Sequence, residues 1–413
     1  MTFLFAVVNL AGISLLSRWE WKRSAAADTL TYWSALALRL LGGLSIGLLY
    51  TYYYQMSGDT FVFFNDAAKL ADLFYSDLRA YLDFIATGDN PVGIVTTEPR
   101  SIFFVMILSI VNLVTYNNYW LSSLWFSFFS FWCSYRLVLK LDSVFPAARL
   151  ASRISLLFVP SVIFWSSGII KESIAFGAVA ILAGHFLSLI QWQKLKWTGY
   201  VGIALSAYLL LSLKYYWGAV LIPSIVSSLI VHWVMSRRQR SVWAIAGVWI
   251  LVFMVICVAA SFTHPNFYME RFLYVIVENH NAFVSISSPE DIISYYNLSA
   301  DWTSIFLNTP WAFWSGLFRP MIFEAGSVTG IVAAVENLVL LVLVFWKLRS
   351  VRMPLPENRL IVMATVAYIA VLCIFLALST PNFGTLSRYR VGFLPFFILL
   401  ILKDHPVFRF IKF

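Results

Sequence analysis

Ser57-Gly-Asp-Thr-Phe-Val-Phe-Phe-Asn-Asp-Ala-Ala-Lys-Leu-Ala-Asp72 is a polar stretch between two hydrophobic segments, with carboxylates at Asp59 and Asp66. If it is helical, the spacing of these acids puts both on one face, two turns apart, with Phe63 between them. The rest of the chain reads as an apolar scaffold around this loop. Of 413 residues, 61% are hydrophobic and 12% charged, and the mean hydropathy is +0.80. That leaves too little polar material to clothe a soluble domain, so composition points to a polytopic membrane protein. The net charge of +9 does not signal nucleic acid, because the basic residues gather in short runs beside apolar segments, where cytoplasmic anchoring accounts for them.

Outward from the loop, apolar runs long enough or nearly long enough to cross a bilayer occur at 2–17, 30–54, 101–115, 119–139, 173–191, 198–213, 217–235, 241–261, 328–346, 360–379 and 391–402. A further run, Ile154 to Ile170, is interrupted by Pro160 and Gly168 and reads as a broken or re-entrant helix. The expected fold is all-α: one polytopic integral membrane helical bundle over 1–413, with about eleven spans plus the broken helix. Basic clusters at Arg18/Lys22/Arg23, Lys194/Lys196, Arg237/Arg238/Arg240, Lys347/Arg349/Arg352 and Lys403/Arg409/Lys412 place one side, and the C-terminus, in the cytoplasm. Loops near 57–100, 263–327 and 380–390 then face outward. Lys140, Arg149 and Arg153 oppose this orientation, so either that loop meets an anionic ligand or the count is off by one crossing there. In the first outer loop Leu70, Phe74, Leu78, Tyr81 and Ile85 recur at helical spacing, which predicts a helix along the membrane surface.

Four polar groups lie where the apolar pattern gives no reason for them: Asp59 with Asp66; Lys171-Glu172; Arg319 with Glu324 and Glu336; and Arg388-Tyr389-Arg390. Ionisable residues at span ends are costly enough that function or pairing is the default explanation. Asp59 and Asp66 have the chemistry of a general base, or of hard oxygen ligands should a divalent cation be used. Glu172 suits the start of a helix, whereas capping does not explain Lys171. Arg388 and Arg390 carry planar forks that match phosphate oxygens, and Arg319 with Glu324 has the makings of an ion pair. Cys133, Cys257 and Cys373 lie in apolar runs as small hydrophobes. No His/Cys zinc pattern, Walker loop, dinucleotide fingerprint or Gly-x-Ser-x-Gly elbow occurs.

Gly58-Asp59 after an N-terminal span, with Phe63 and Ala67-Ala68, resembles the membrane glycosyltransferases of the GT-C superfamily. Pro160-Ser161 through Trp165-Ser-Ser-Gly-Ile-Ile-Lys171-Glu172-Ser173 is similar to a signature of uncharacterised bacterial polysaccharide-assembly proteins. So are Arg319-Pro320 with Glu324, Glu336-Asn337, and Arg388-Tyr389-Arg390 with Pro395. The resemblance implies a GT-C-like bundle in a bacterial inner membrane and transfer of a sugar, as in a hexosyltransferase, from a polyprenyl-phosphate carrier. The acceptor would be a lipid-linked sugar or glycan on the outer face, in cell-envelope polysaccharide synthesis. Asp59 would be the base, and Arg388, Arg390 and Lys171 would hold the phosphate. A repeat-unit polymerase is the neighbouring alternative, and a flippase or transporter for lipid-linked sugars is the alternative of another class.

Overall fold

Long apolar sequences with few helix breakers build this chain almost wholly from helices. The computed structural model describes residues 2–24, 28–56, 58–88, 92–235, 241–262, 268–349 and 358–409. Ser57, the cluster Arg237/Arg238/Arg240, Arg352, Lys412 and the terminal Phe413 lie outside the described residues. In order come α1 (Thr2–Arg23), α2 (Thr29–Leu48), α3 (Asp59–Ser76), α4 (Leu78–Thr87), α5 (Pro99–Thr115) and α6 (Tyr119–Val144). Short α7 (Arg149–Arg153) and α8 (Pro160–Trp165) lead to α9 (Lys171–Ile190), α10 (Trp197–Met235) and α11 (Val242–Ser261). Then follow α12 (Met269–Ile286), α13 (Trp302–Phe318), α14 (Val328–Arg349), α15 (Arg359–Ser379), α16 (Phe383–Tyr389) and α17 (Leu394–Leu402).

Among the described residues seven helices are long and apolar enough to cross a membrane, or up to nine if each of two bent pairs is one span. That is fewer than the eleven expected, and the reason is continuity. The runs 198–213 and 217–235 are the two arms of α10, which is broken by a kink where Lys214 leaves helical geometry, and that count takes them together. The runs 101–115 and 119–139 belong to α5 and α6, which meet at 115°. The last run builds a helix of only 9 residues, set at 67° to the segment before it. Apolar composition reports burial in lipid or protein alike, so it does not tell a span from a packed half-helix.

The described residues group into two compact units, each drawn from more than one stretch of the chain. The first comprises Met1–Lys140, Leu156–Gly184 and Val201–Tyr215; the second comprises Leu141–Ser155, His185–Tyr200 and Tyr216–Phe413.

In the first unit α3 packs along α5. Phe63 meets Phe104 edge-on at 5.4 Å, and Phe61 stacks on Tyr119 at 4.5 Å while Thr60 bonds the Tyr119 hydroxyl at 2.9 Å. Each such aromatic pair adds about 0.5–1.5 kcal/mol beyond its buried area. The helix predicted through Leu70 and Ile85 is two helices, because Asp77 accepts from the Ala80 amide and caps a new start. That break resets the phase: Leu70, Tyr81 and Phe84 are buried, while Leu78 and Ile85 are exposed.

The broken helix between Ile154 and Ile170 is present, as a π turn over Ile154–Phe158 followed by α8. Pro160 has no N–H to give the Leu156 carbonyl one turn back. The buried Arg39 of α2 supplies the donor instead, with Nη2 to Leu156 O at 2.9 Å, and Nη1 reaches the Ser166 hydroxyl. Gly168 takes φ +69°, and its Cα side lies against Gly43, where a Cβ would come within 3.2 Å of backbone.

In the second unit α13 packs on α15, and the segment before α13 meets the end of α15 and the turn after it. The Ile293 amide donates to Pro381 O at 2.9 Å, the Tyr295 hydroxyl to Ala377 O at 2.8 Å, and Ile292 bridges Asn382.

Candidate functional site

The two carboxylates on α3 have opposite surroundings. Asp59 stands exposed in the first helical turn, where a negative charge is favoured by the backbone dipoles. Gly58 precedes it because the Tyr50 ring closes over that position: a Cβ there would lie 2.0 Å from a ring carbon. Two turns on, Asp66 is buried. Its Oδ2 accepts from the Thr96 hydroxyl at 2.7 Å and the Thr96 amide at 2.9 Å, the Val95 amide reaches both oxygens at 3.1 Å, and Lys69 lies 3.4 Å from Oδ1. Burial alone would raise the Asp66 carboxyl, but the Thr96, Val95 and Lys69 contacts outweigh it and hold it below its ordinary value. Asp66 thus ties the 92–98 segment to α3. Among the described residues no group of three or more His, Cys, Asp or Glu comes together to hold a metal ion.

Phe63, one turn after Asp59 and one before Asp66, carries the Lys171 ammonium 5.2 Å above its ring. Lys171 also donates to the Ser101 hydroxyl at 2.8 Å and to Glu98 Oε2 at 3.3 Å, and Ser101 donates to the same Oε2 at 2.6 Å. Arg100 grips Glu98 Oε1 from the other side and lies over the Tyr215 ring at 5.0 Å. Burial would raise the Glu98 carboxyl, yet Ser101, Lys171 and Arg100 together hold it low. The Lys171 side chain is 14% exposed, Glu98 40% and Arg100 39%, so solvent reaches this cluster. Glu172, next in sequence, turns the other way and pairs with Lys214 at 2.7 Å, with side chains 0% and 3% exposed. The two neighbours therefore do different jobs, one in an open cluster and one in a closed pair.

The remaining expected residues are in the second unit. Arg319 pairs with Glu324 as anticipated, sandwiched between the Trp311 and Phe383 rings at 5.1 and 5.0 Å, and Glu324 also accepts from the Met321 amide at 2.8 Å. Burial opposes ionisation of Glu324, but Arg319 and that amide prevail and lower its pKa. Arg390 is fully buried: Nη2 donates to Asn337 Oδ1 at 2.7 Å and Nη1 to Leu317 O at 3.4 Å. Asn337 passes the connection on, its Nδ2 donating to Pro320 O at 2.9 Å. A guanidinium so placed fastens α13, α14 and the 390 turn together. Arg388 is buried as well, and Tyr389 faces Tyr216 at 6.1 Å.

Sequence reasoning missed Arg39, Glu98, Arg100 and Lys214. Arg39 and Lys214 had a usable signal, since each is a lone charge inside an apolar run. Glu98 had a weaker one, an acid immediately before a helix-starting Pro99. No family model, no curated protein and no solved structure matches this chain. Chemically, the first unit offers an exposed carboxylate, two cations on an accessible acid, and a serine hydroxyl, with aromatic rings beneath the charges.

Proposed function

We propose that this chain is an integral-membrane glycosyltransferase of GT-C type, moving a sugar from a polyprenyl-phosphate carrier to a lipid-linked or glycan acceptor in cell-envelope polysaccharide synthesis. The observation that carries the reading is the divergence of the α3 carboxylates: Asp66 is committed to Val95 and Thr96, while Asp59 is exposed on the same face, with Lys171 over the ring between them. Asp59 takes the proton from the acceptor hydroxyl as that oxygen attacks the anomeric carbon; the bond from that carbon to the phosphate oxygen breaks, and the phosphate leaves as an anion. A cation beside the leaving group stabilises that charge as it develops. We assign this role to Lys171 and Arg100, since Arg390 is occupied by Asn337 and Leu317.

The same proposal gives a topology. If the sharply bent α5 and α6 make one crossing, Ile154 to Ile170 another, and the two arms of α10 one each, turning back at Lys214, then Lys140, Arg149 and Arg153 join the other basic clusters in the cytoplasm. Asp142 partly neutralises that loop, lying 3.5 Å from Arg149 and 3.4 Å from Arg153. Asp59, Glu98 and Lys171 are then on the outer face, the bacterial inner membrane is the host, and the C-terminus is cytoplasmic.

A transporter of lipid-linked sugars is the second reading, favoured by the buried Glu172–Lys214 pair at the bend of a long apolar helix. Purified protein in detergent separates the two, because transport needs two compartments and transfer does not. Wild type is expected to transfer a labelled sugar from polyprenyl phosphate, and Asp59→Asn to slow it by about two to four orders of magnitude with unchanged thermal stability. Absence of transfer, with labelled lipid crossing vesicles instead, would favour the transporter.

A further inference from the structure

Glu98 occupies a position that a phosphate would fill. Its carboxylate receives Arg100 on one oxygen and Lys171 with the Ser101 hydroxyl on the other, the donor set expected around a tetrahedral oxyanion. Two cations share this one acid, so the cluster carries a net positive charge even with Glu98 in place. The Ser101 hydroxyl is fixed, because it accepts from Lys171 and donates to Glu98, and Arg100 lies over the Tyr215 ring. Behind the cluster, the Glu172–Lys214 pair fixes the backbone neighbours of both Lys171 and Tyr215. The cations therefore have contacts besides Glu98, Lys171 with the Ser101 hydroxyl and the Phe63 ring and Arg100 with the Tyr215 ring, and the Glu98 side chain is open to solvent.

We propose that Arg100, Ser101 and Lys171 form a phosphate-binding site that Glu98 occupies as an internal carboxylate until a phosphate or pyrophosphate group displaces it. This rests on the glycosyl-transfer reading for its biological ligand, the carrier phosphate, but not for its chemistry. A terminal phosphate, as in the carrier left after transfer, carries at neutral pH more charge than the carboxylate and three acceptor oxygens, so it competes for the same donors; the diester of the sugar-loaded carrier matches the carboxylate's single charge. The side chain of Glu98 then swings outward without unfolding α5, whose start is already set by Pro99. Such an occupant keeps two neighbouring cations compatible in the unliganded protein and makes anion affinity a difference between two occupants, not an absolute value.

The test is a binding measurement on the purified full chain in detergent, with inorganic phosphate, pyrophosphate and a short-chain prenyl phosphate as probes. Glu98→Gln removes the competing charge and should bind the probes about tenfold more tightly than wild type, while Lys171→Gln and Arg100→Gln should bind at least about tenfold more weakly. Weaker or unchanged binding in Glu98→Gln, with wild-type thermal stability, overturns the proposal and leaves Glu98 a positioning residue. If Glu98→Gln does not purify, Glu98→Asp withdraws the carboxylate by one methylene, and failure of that variant to bind more tightly overturns the proposal equally. Preference for the prenyl phosphate assigns the lipid carrier; equal binding of inorganic phosphate assigns the soluble anion. Tighter binding in Glu98→Gln without any sugar transfer by wild type sustains the site and sinks the transferase reading, whereas transfer with unaltered binding does the reverse.

Discussion

Lys171 and Arg100 share one half-exposed carboxylate, Glu98, whereas Arg390 is fully buried with its guanidinium fixed on Asn337 and the Leu317 carbonyl. The residue types are the same, and both groups sit beside apolar helices. What differs is whether the neighbouring charge is open to solvent or the neighbouring acceptors belong to packed backbone and amide. Arg390 is closed off from solvent among its acceptors, while Lys171 and Arg100 face an accessible acid, which we propose is exchanged for a phosphate. Burial therefore separates a binding group from a fastening one more sharply than charge does.

The strongest way to break this comparison is at the closed pair. Glu172→Gln or Lys214→Met takes the ion-pair partner from a buried charge and should cost about 3–5 kcal/mol, read as a large drop in melting temperature. Changing both together should recover most of that loss, since no charge is then left alone. A single variant that melts like wild type would show that water reaches Lys214, and the distinction between open and closed clusters would collapse.

The next test compares two arginines directly. Arg390→Lys keeps the charge but cannot reach Asn337 and Leu317 with one fork, and should lose about 1.5–3 kcal/mol of stability. Arg100→Lys should leave stability within about 0.5 kcal/mol and register in phosphate binding instead. Equal destabilisation by both would remove the contrast.

A further contrast is between the two carboxylates of α3, and it is tested at Asp66. Its folded pKa is depressed below 3.8, so it contributes stability that is fully present above that value and is lost as pH falls through the lower folded value. Asp66→Asn should cost about 1–3 kcal/mol at neutral pH and flatten the acid limb of the melting-temperature profile below about pH 4. An unchanged acid limb would mean that Val95 and Thr96 bind the amide as well as the carboxylate.

Much of the architecture was legible in the chain. Hydropathy alone implied helices in membrane-protein proportions, and Pro160 with Gly168 marked the broken helix, because a missing N–H and a left-handed turn act locally. Arg319 and Glu324, close in sequence, were legible as an ion pair, again through short-range geometry. The number of crossings was not legible, since a run such as 101–115 is equally apolar whether it meets lipid or, as part of α5, packs under α3. Nor was the fate of each charge. Asp59 and Asp66 are indistinguishable as letters, and only the return of Val95 and Thr96 to α3 makes one structural and leaves the other exposed. Lys171 and Glu172 are adjacent in sequence, yet partners at Glu98 and Lys214, dozens of residues away, send them to opposite surroundings. Local conformation follows from neighbouring side chains and backbone sterics, so the sequence determines it. The choice between ligand site and internal fastening depends on which distant groups arrive to share a charge, and that is decided only when the helices pack.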